Sequence, residues 1–426
     1  MVRRRQVAAV LALVLVVALA WSLRVAWQAF WGDSSTTVAA SGSPSVAVTS
    51  SSPKPSPSPS KTPGGIRTPD GVVAPTPSPN AAQGEPGASA DTTPVRILRL
   101  SGNLSSKSVD ASARGMVFAQ NMMYQHSMAA YGPDGALLKT IPDAVDLSAF
   151  GIDGHPGTSR GAPVEMAFSP DGKYAWVSNY HMYGKGFSGE PSDNCSGGSG
   201  YTNSYMYKVD TDSFEIIKIV PVGVVPKYVA MTPDGTKVIV TNWCSMDINI
   251  IDTSTDKVVA TVPSTGRYPR GIAVAKDSKT AYIALMGSNK IVALDLTTNS
   301  VRDFAYAGSR TRHVTMSPDG TKLYATNSGD NNIAEIDVSN GKVLRKVNVG
   351  KEPRSMTVSA DGGALYVVNY DASSMSKVRI SDFVVTGTYP TDANPIGITY
   401  EATLKRVWVA CYSGTILVFD DSRLKG

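Results

Sequence analysis

Residues 228–262 read YVAMTPDGTKVIVTNWCSMDINIIDTSTDKVVATV, and this stretch decides the fold. It contains four apolar segments, at 228–231, 237–241, 248–251 and 257–262. The period-two alternation in the second and third segments predicts strands in sheets that pack face to face. Pro233-Asp234-Gly235 suits the first connection, because Pro presets φ and Gly accepts a positive φ in a tight turn. The stretch therefore predicts one four-stranded antiparallel unit.

This unit recurs along the chain from about residue 95. The second strand occurs in seven copies, at 117–121, 175–179, 238–242, 281–285, 323–327, 365–369 and 407–411. The last four copies end at positions that are each 42 residues apart. A period near 40 with short β-rich segments is typical of propeller blades. The sequence predicts an all-β, seven-bladed β-propeller over residues 95–426.

The two ends of the repeat region complement each other. The last copy ends with its third strand, at 415–419. The segment at 95–100 precedes the first copy and has the pattern of an outer strand. We expect this N-terminal strand to complete the last blade, because the pairing would close the ring and cover a sheet edge.

Short motifs in the copies resemble the YVTN family of seven-bladed propellers, which includes the YncE-like proteins and is related to lactonase-like propellers. The matching motifs are Ser169-Pro170-Asp171-Gly172, Val177-Ser178-Asn179, Val240-Thr241-Asn242, Ala325-Thr326-Asn327 and Val367-Val368-Asn369. The final Asn is replaced in Ile283-Ala284-Leu285 and in Val409-Ala410-Cys411. The resemblance covers about 330 residues and implies the fold. It implies little about activity, because this family is functionally mixed.

The net charge of +5 is concentrated at the N-terminus. Residues 1–31 contain four arginines and no acidic residue, whereas residues 95–426 hold 33 basic and 31 acidic side chains. This balance gives no support to nucleic-acid binding by the repeat domain. Arg3-Arg4-Arg5 precede an uncharged run at 6–23, which predicts a single transmembrane helix with the rest of the chain extracytoplasmic. A cleaved signal peptide ending near Ala18-Leu19-Ala20 is the alternative, and it would give a secreted chain.

Residues 32–94 form a segment of a different composition. They contain 12 Pro and 13 Ser and no aromatic residue. Such a segment cannot bury enough apolar surface to fold, and its prolines keep it extended. We interpret it as a disordered linker that carries the propeller away from the membrane.

Basic residues recur at the start of the innermost strands. Fifteen residues before the end of each second strand lie Ser106, Val164, Lys227, Arg270, Arg312, Arg354 and Ile396. The neighbouring residues include Lys107, Glu165, Tyr228 and His313. Four successive blades would thus place a cation at the rim of the central channel. We predict a ligand-binding site for an anionic group there, and the alternative is that these side chains bond to loop carbonyls or acids.

Two insertions and two cysteines fall near this rim. Relative to the 42-residue period, about 16 extra residues lie at 142–163 and 21 at 180–204. Both insertions are expected on the face with the basic residues, which is where repeat proteins usually carry binding loops. Cys195 and Cys244 are expected to be adjacent in space, and an oxidising compartment would allow a disulfide between them. Cys411 replaces a strand-end Asn and is expected to be a buried free thiol.

Signals for a cofactor are weak. Methionine and histidine residues cluster mildly at predicted loops, at Met122, Met123, His126, His181, Met182 and Met246. Such ligands suit copper, but their spacing is not diagnostic and Met is a common gap-filler. The haem attachment sequence C-x-x-C-H is absent from the chain, and no cofactor is predicted.

These observations favour a membrane-tethered extracytoplasmic binding module without catalysis. Its partner would be an anionic small molecule, a cell-envelope polymer or another protein. The alternative is a lactonase-like hydrolase that uses the channel, with Glu165, Arg270, Arg312 and His313 around it. A redox or metal-handling propeller is a third, less favoured interpretation.

Overall fold

The computed structural model describes residues 88–123 and 126–424. The predicted membrane anchor at 1–31 and most of the predicted linker at 32–94 therefore lie outside the described residues. Among the residues that are described, no helix is long and apolar enough to cross a membrane. The described part contains 29 strands, arranged in seven antiparallel sheets.

The seven-bladed β-propeller is confirmed, and its strands follow the chain blade by blade. The outer strand of the last blade comes first, as β1 (Val95–Ser101). Blade one contains β2 (Ser106–Ala111), β3 (Val117–Asn121), β4 (Ser127–Tyr131) and β5 (Leu137–Pro142). Blade two contains β6 (Ala144–Asp146), β7 (Thr158–Phe168), β8 (Tyr174–Tyr183), β9 (Ser204–Asp210) and β10 (Glu215–Val222). Blade three contains β11 (Pro226–Met231), β12 (Lys237–Asn242), β13 (Asp247–Asp252) and β14 (Lys257–Pro263).

The remaining four blades have the same four-stranded pattern. Blade four contains β15 (Pro269–Val274), β16 (Thr280–Leu285), β17 (Lys290–Asp295) and β18 (Val301–Ala305). Blade five contains β19 (Thr311–Met316), β20 (Lys322–Asn327), β21 (Asn332–Asp337) and β22 (Val343–Asn348). Blade six contains β23 (Pro353–Val358), β24 (Ala364–Asn369), β25 (Ser374–Arg379) and β26 (Val384–Pro390). Blade seven contains β27 (Pro395–Glu401), β28 (Arg406–Cys411) and β29 (Thr415–Asp420), and short 3-10 helices lie at Ala88–Asp91, Leu147–Phe150 and Met286–Ser288.

The ring closes as predicted, because β1 pairs with β29 and completes blade seven. The innermost strands β2, β7, β11, β15, β19, β23 and β27 each contact the next one around a central channel. The apolar core lies between adjacent blades, not on the axis. Phe118, Val177 and Tyr207, for example, belong to one buried cluster shared by blades one and two.

In each blade that has it, the Asn near the end of the second strand forms hydrogen bonds with neighbouring segments of the blade. In blade five, Asn327 Nδ2 donates to Ala307 O (3.1 Å) and to Asn332 Oδ1 (2.8 Å). These bonds join the second strand to the third strand and to the loop that enters the blade. A Cβ on Gly308 would come within 2.6 Å of the Asn327 side chain, so the close approach of this loop requires glycine.

The segment before β1 docks on the face opposite the starts of the innermost strands. Ser89 Oγ donates to Ser359 Oγ (2.7 Å), which lies in the turn between β23 and β24. Lys377 Nζ bonds to Thr92 O (2.8 Å) and pairs with Asp421 Oδ1 (2.9 Å), and both charged side chains are fully buried. Ser89 and Thr92 thus contact the propeller, although both lie inside the segment that the sequence assigned to the linker.

We predict that Asp421→Ala destabilises the ring closure. The substitution leaves the buried Lys377 ammonium without its carboxylate, which costs about 3–5 kcal/mol of unfolding free energy. Lys351→Ala is the control, because it removes an exposed ion pair with Asp371, away from the docked segment, and should cost less than about 1 kcal/mol. Chemical denaturation of both variants measures the difference. Equal losses would contradict a closing role for the buried pair.

Candidate functional site at the channel mouth

Five cationic side chains converge at the end of the channel where the innermost strands begin. We call this set the cation ring, and it consists of Lys107, Lys227, Arg270, Arg312 and Arg354. Val164 and Ile396 hold the matching positions of the other two blades. Four of the cations are buried, and Arg354 is half-buried. The structure thus brings together the predicted cations of blades three to six. Blade one adds Lys107, which the sequence predicted only as a neighbour of the ring position.

The position of these side chains follows from an irregularity that every innermost strand shares. The pairing with the second strand shifts register just before the residues that line the channel, for example between Pro226 and Tyr228 and between Pro353 and Ser355. An extra residue in one strand re-aims its side chain and increases the local twist. Each cation of the ring is this extra residue, which explains why it lies at the mouth and not in a blade interface.

Three carboxylates of the chain neutralise part of the ring. Glu165 Oε1 lies 2.6 Å from Lys107 Nζ, and Asp193 Oδ1 lies 3.0 Å from Lys227 Nζ. Glu352 Oε1 accepts from Arg354 Nη2 at 2.8 Å and lies 3.8 Å from Arg312 Nη1.

The remaining charge is centred on blades four and five. Within residues 88–123 and 126–424, no carboxylate lies within 4.0 Å of the Arg270 guanidinium, and Arg312 Nε has no hydrogen-bond partner. A buried cation without a partner is costly, so the site favours an anionic group that would supply one.

Aromatic and thioether side chains alternate with the cations around the mouth. We call this set the collar. It consists of the residue after the position of the repeated Asn in each blade: Met122, Tyr180, Trp243, Met286, Tyr370 and Tyr412, with Ser328 at this position in blade five. Lys227 Nζ lies 4.8 Å from the ring centre of Tyr180 and 5.0 Å from that of Trp243. The Arg354 guanidinium lies 3.3 Å from the ring centre of Tyr370. These contacts support the cations by cation–π attraction without neutralising them.

The insertion at 180–204 covers the blade-two and blade-three side of the mouth. A disulfide joins Cys195 to Cys244, whose Cα atoms are 5.2 Å apart, so the predicted pairing is confirmed. Tyr180 Oη donates to Pro191 O (3.1 Å), and Trp243 Nε1 donates to Asp193 O (3.0 Å). The other insertion extends β7, which pairs with β6 on the same face. Cys411 is buried and unbonded, as predicted.

Glu165, Tyr228 and His313 lie one residue deeper than the ring and line the channel. The channel contains a cavity of about 260 Å³, also lined by Ser108, Asp110, Ser355 and Thr399. Across it, the Tyr228 hydroxyl and His313 Nε2 lie 2.6 Å apart. The sequence placed all three residues beside the cations, and the structure does the same. Asp110 was missed, because a single Asp near the end of β2 gives no local signal.

Burial shifts the pKa of several of these groups. It lowers the pKa of Lys227 to about 7, and the like charges of Arg270 and Lys107 act in the same direction against Asp193. Burial lowers the pKa of Lys107 to about 8 despite Glu165, and that of His313 to about 3. It raises the pKa of Asp110 to about 7, with Glu165 contributing repulsion. His313 is therefore neutral at physiological pH, and Asp110 and Lys227 titrate near it.

The histidines of the described part of the chain have other contacts. His181 is buried, and its Nε2 lies 3.0 Å from Ser188 O. His126 stacks on Tyr183, with ring centres 5.1 Å apart. Within the described residues, no group of three or more His, Cys, Asp or Glu side chains could hold a metal ion.

A family model described as "Lactonase, 7-bladed beta-propeller" matches residues 257–382. The matched stretch contains Arg270, Arg312, His313 and Arg354. The match covers less than half of the chain and lies inside the propeller, so this chain is similar to lactonase-type seven-bladed propellers. The expected resemblance is confirmed at this level.

Solved structures support the propeller fold. One of them, Kuenenia stuttgartiensis hydrazine synthase, is 19% identical with a TM-score of 0.59. The alignment covers 76% of this chain and 98% of that chain. An identity this low shows a shared fold alone. No curated protein matches the chain.

We predict that the Lys227 amine titrates near pH 7 because of its position in the ring. Arg270→Gln should raise this pKa, since it removes the largest like charge that acts on Lys227. Titration of the lysine side chains by NMR, with Lys227→Arg to assign the signal, measures both values. A Lys227 pKa near the ordinary 10.5, or one that Arg270→Gln leaves unchanged, would contradict this electrostatic description.

Proposed function

We propose that this lactonase-like propeller is a non-catalytic binding module whose channel mouth holds an anionic group. The observation that carries the proposal is Arg270: the residue is buried, and no carboxylate of the described residues lies within 4.0 Å of its guanidinium. Arg312 Nε is also buried and without a partner there. A carboxylate or phosphate on a small molecule, an envelope polymer or a partner protein would satisfy both arginines with charge-assisted hydrogen bonds.

Other features support an extracytoplasmic setting for this module. The Cys195–Cys244 disulfide suits an oxidising compartment. The arginine-led apolar run at 6–23 suits a membrane anchor, and the Pro/Ser-rich residues 32–94 suit a tether. The proposal is a propeller held by a single-pass anchor outside the cytoplasm, or secreted if the N-terminal segment is cleaved.

Binding of simple anions to the full-length chain tests the proposed site. We predict that phosphate binds in calorimetric titration, and that Arg270→Gln weakens the affinity roughly 10- to 100-fold, as expected for a hydrogen-bonded charge. Arg267→Gln is the matched control, because Arg267 belongs to the same blade and is exposed at the Tyr268 ring. Absence of binding, or equal affinities for wild type and Arg270→Gln, would refute the anion site.

A lactonase-like hydrolase is the second candidate, and Asp110 favours it. Its carboxyl group lines the channel cavity and has a pKa raised to about 7, which suits a general base near neutral pH. In such a reaction, Asp110 would activate water, and Arg270 and Arg312 would stabilise the developing oxyanion. His313 is a weaker base, because burial lowers its pKa to about 3.

Lactone hydrolysis separates the two candidates. The binding-module proposal predicts that the full-length chain hydrolyses a panel of δ-lactones no faster than the spontaneous rate, as measured in a pH-stat. Turnover that rises through pH 7 and is lost in both Asp110→Asn and Arg270→Gln would instead establish the hydrolase. Arg267→Gln again controls for a general change of surface charge.

A further inference from the structure

Three carboxylates pair with cations of the ring, and one of them differs from the other two in its exposure and in its place in the fold. Glu165 and Glu352 belong to the innermost strand or to its entry turn, and their side chains are only 12% and 14% exposed. Asp193 comes from the insertion at 180–204, and its side chain is 77% exposed. It reaches Lys227 Nζ at 3.0 Å from outside the propeller framework. An exposed carboxylate contributes little to stability, so its place at the mouth calls for another explanation.

The backbone around Asp193 is held firmly over the mouth. Asp193 O accepts from Trp243 Nε1 at 3.0 Å, and Pro191 O accepts from Tyr180 Oη at 3.1 Å. The disulfide fixes Cys195 two residues later to Cys244 of blade three. Two members of the collar and one covalent bond therefore present the carboxylate to Lys227.

The charge of Asp193 also acts beyond Lys227. Lys227 lowers the pKa of Asp193 most, and Arg270 and Arg312 lower it further. Three of the five ring cations thus interact with this one carboxylate. A ligand bound to Arg270 and Arg312 would therefore meet the negative charge of Asp193.

We propose that Asp193 is a specificity-determining residue that limits the mouth to ligands with one compact anionic group. The internal carboxylate occupies the blade-three part of the ring and repels a second anionic group there. Blades four and five remain open to the ligand through Arg270 and Arg312. This inference rests on the proposed anion site. It specifies that the site accepts one anionic group of a ligand and disfavours a second one.

Asp193→Asn in the full-length chain tests the inference, with phosphate and pyrophosphate as probes. The Asn side chain keeps the shape of the loop but removes its charge, so Lys227 becomes available to the second phosphoryl group of pyrophosphate. We expect the affinity for pyrophosphate to rise about threefold to tenfold more than that for phosphate. Calorimetry at about pH 5.5 keeps Lys227 protonated in the variant.

Glu190→Gln is the matched control for this experiment. It removes one negative charge from the same insertion, but among the described residues Glu190 forms no ion pair with a cation of the ring. We expect it to leave the ratio of the two affinities unchanged. Equal ratios in wild type and Asp193→Asn, with phosphate still bound, would overturn the specificity role and leave the anion site standing. Failure of every protein to bind either probe would instead overturn both proposals.

The disulfide supplies a second, independent variant. Cys195→Ser with Cys244→Ser releases the covalent attachment of the insertion, so Asp193 should leave Lys227 more often. The ratio of pyrophosphate to phosphate affinity should then shift in the direction of Asp193→Asn. Far-ultraviolet circular dichroism checks that the blades remain folded. A folded double variant with the wild-type ratio would contradict the inferred presentation of Asp193 by the loop.

Discussion

The convergence of seven innermost strands on one axis is the constraint on which the rest of the structure depends. Each strand brings the same position to the mouth of the channel, so the side chains at that position share a small space whatever their charges. In this chain five of the seven are cations. Their repulsion and burial are visible in the lowered pKa values of Lys107 and Lys227. The chain supplies three carboxylates in return, and Arg270 remains without one among the described residues.

The contacts that close the ring leave the mouth face of the propeller free. The N-terminal strand β1 completes blade seven, and the buried Lys377–Asp421 pair fastens the segment before it on the opposite face. The two ends of the described chain therefore meet far from the mouth. The mouth face is left to the two insertions, the disulfide and the collar, which build an asymmetric site on a nearly symmetric ring.

The sequence predicted the fold well because the same strand-and-turn pattern occurs in seven copies. The turn glycines, the strand-end Asn residues and the alternation each recur with a physical reason, as the contacts of Asn327 illustrate. The site was predicted less completely. Counting back from the strand end placed the ring position of blade one at Ser106 instead of Lys107. The reason is that the turn between the first two strands of blade one is one residue shorter than that of blade three. Asp193 could not be foreseen, since no periodicity fixes where a long insertion folds back. The sequence did not predict that Glu352 pairs with the ring, because this pairing depends on a left-handed backbone (φ 55°) just before β23.

The central claim is that the mouth holds positive charge that an anion completes. A crystal structure of the full-length chain grown with phosphate tests this most directly. The account predicts a phosphate with oxygen atoms within hydrogen-bond distance of the Arg270 and Arg312 guanidinium groups, at a mouth whose other cations keep their carboxylate partners. A mouth in which carboxylates of the chain engage both arginines, with no anion bound, would contradict it.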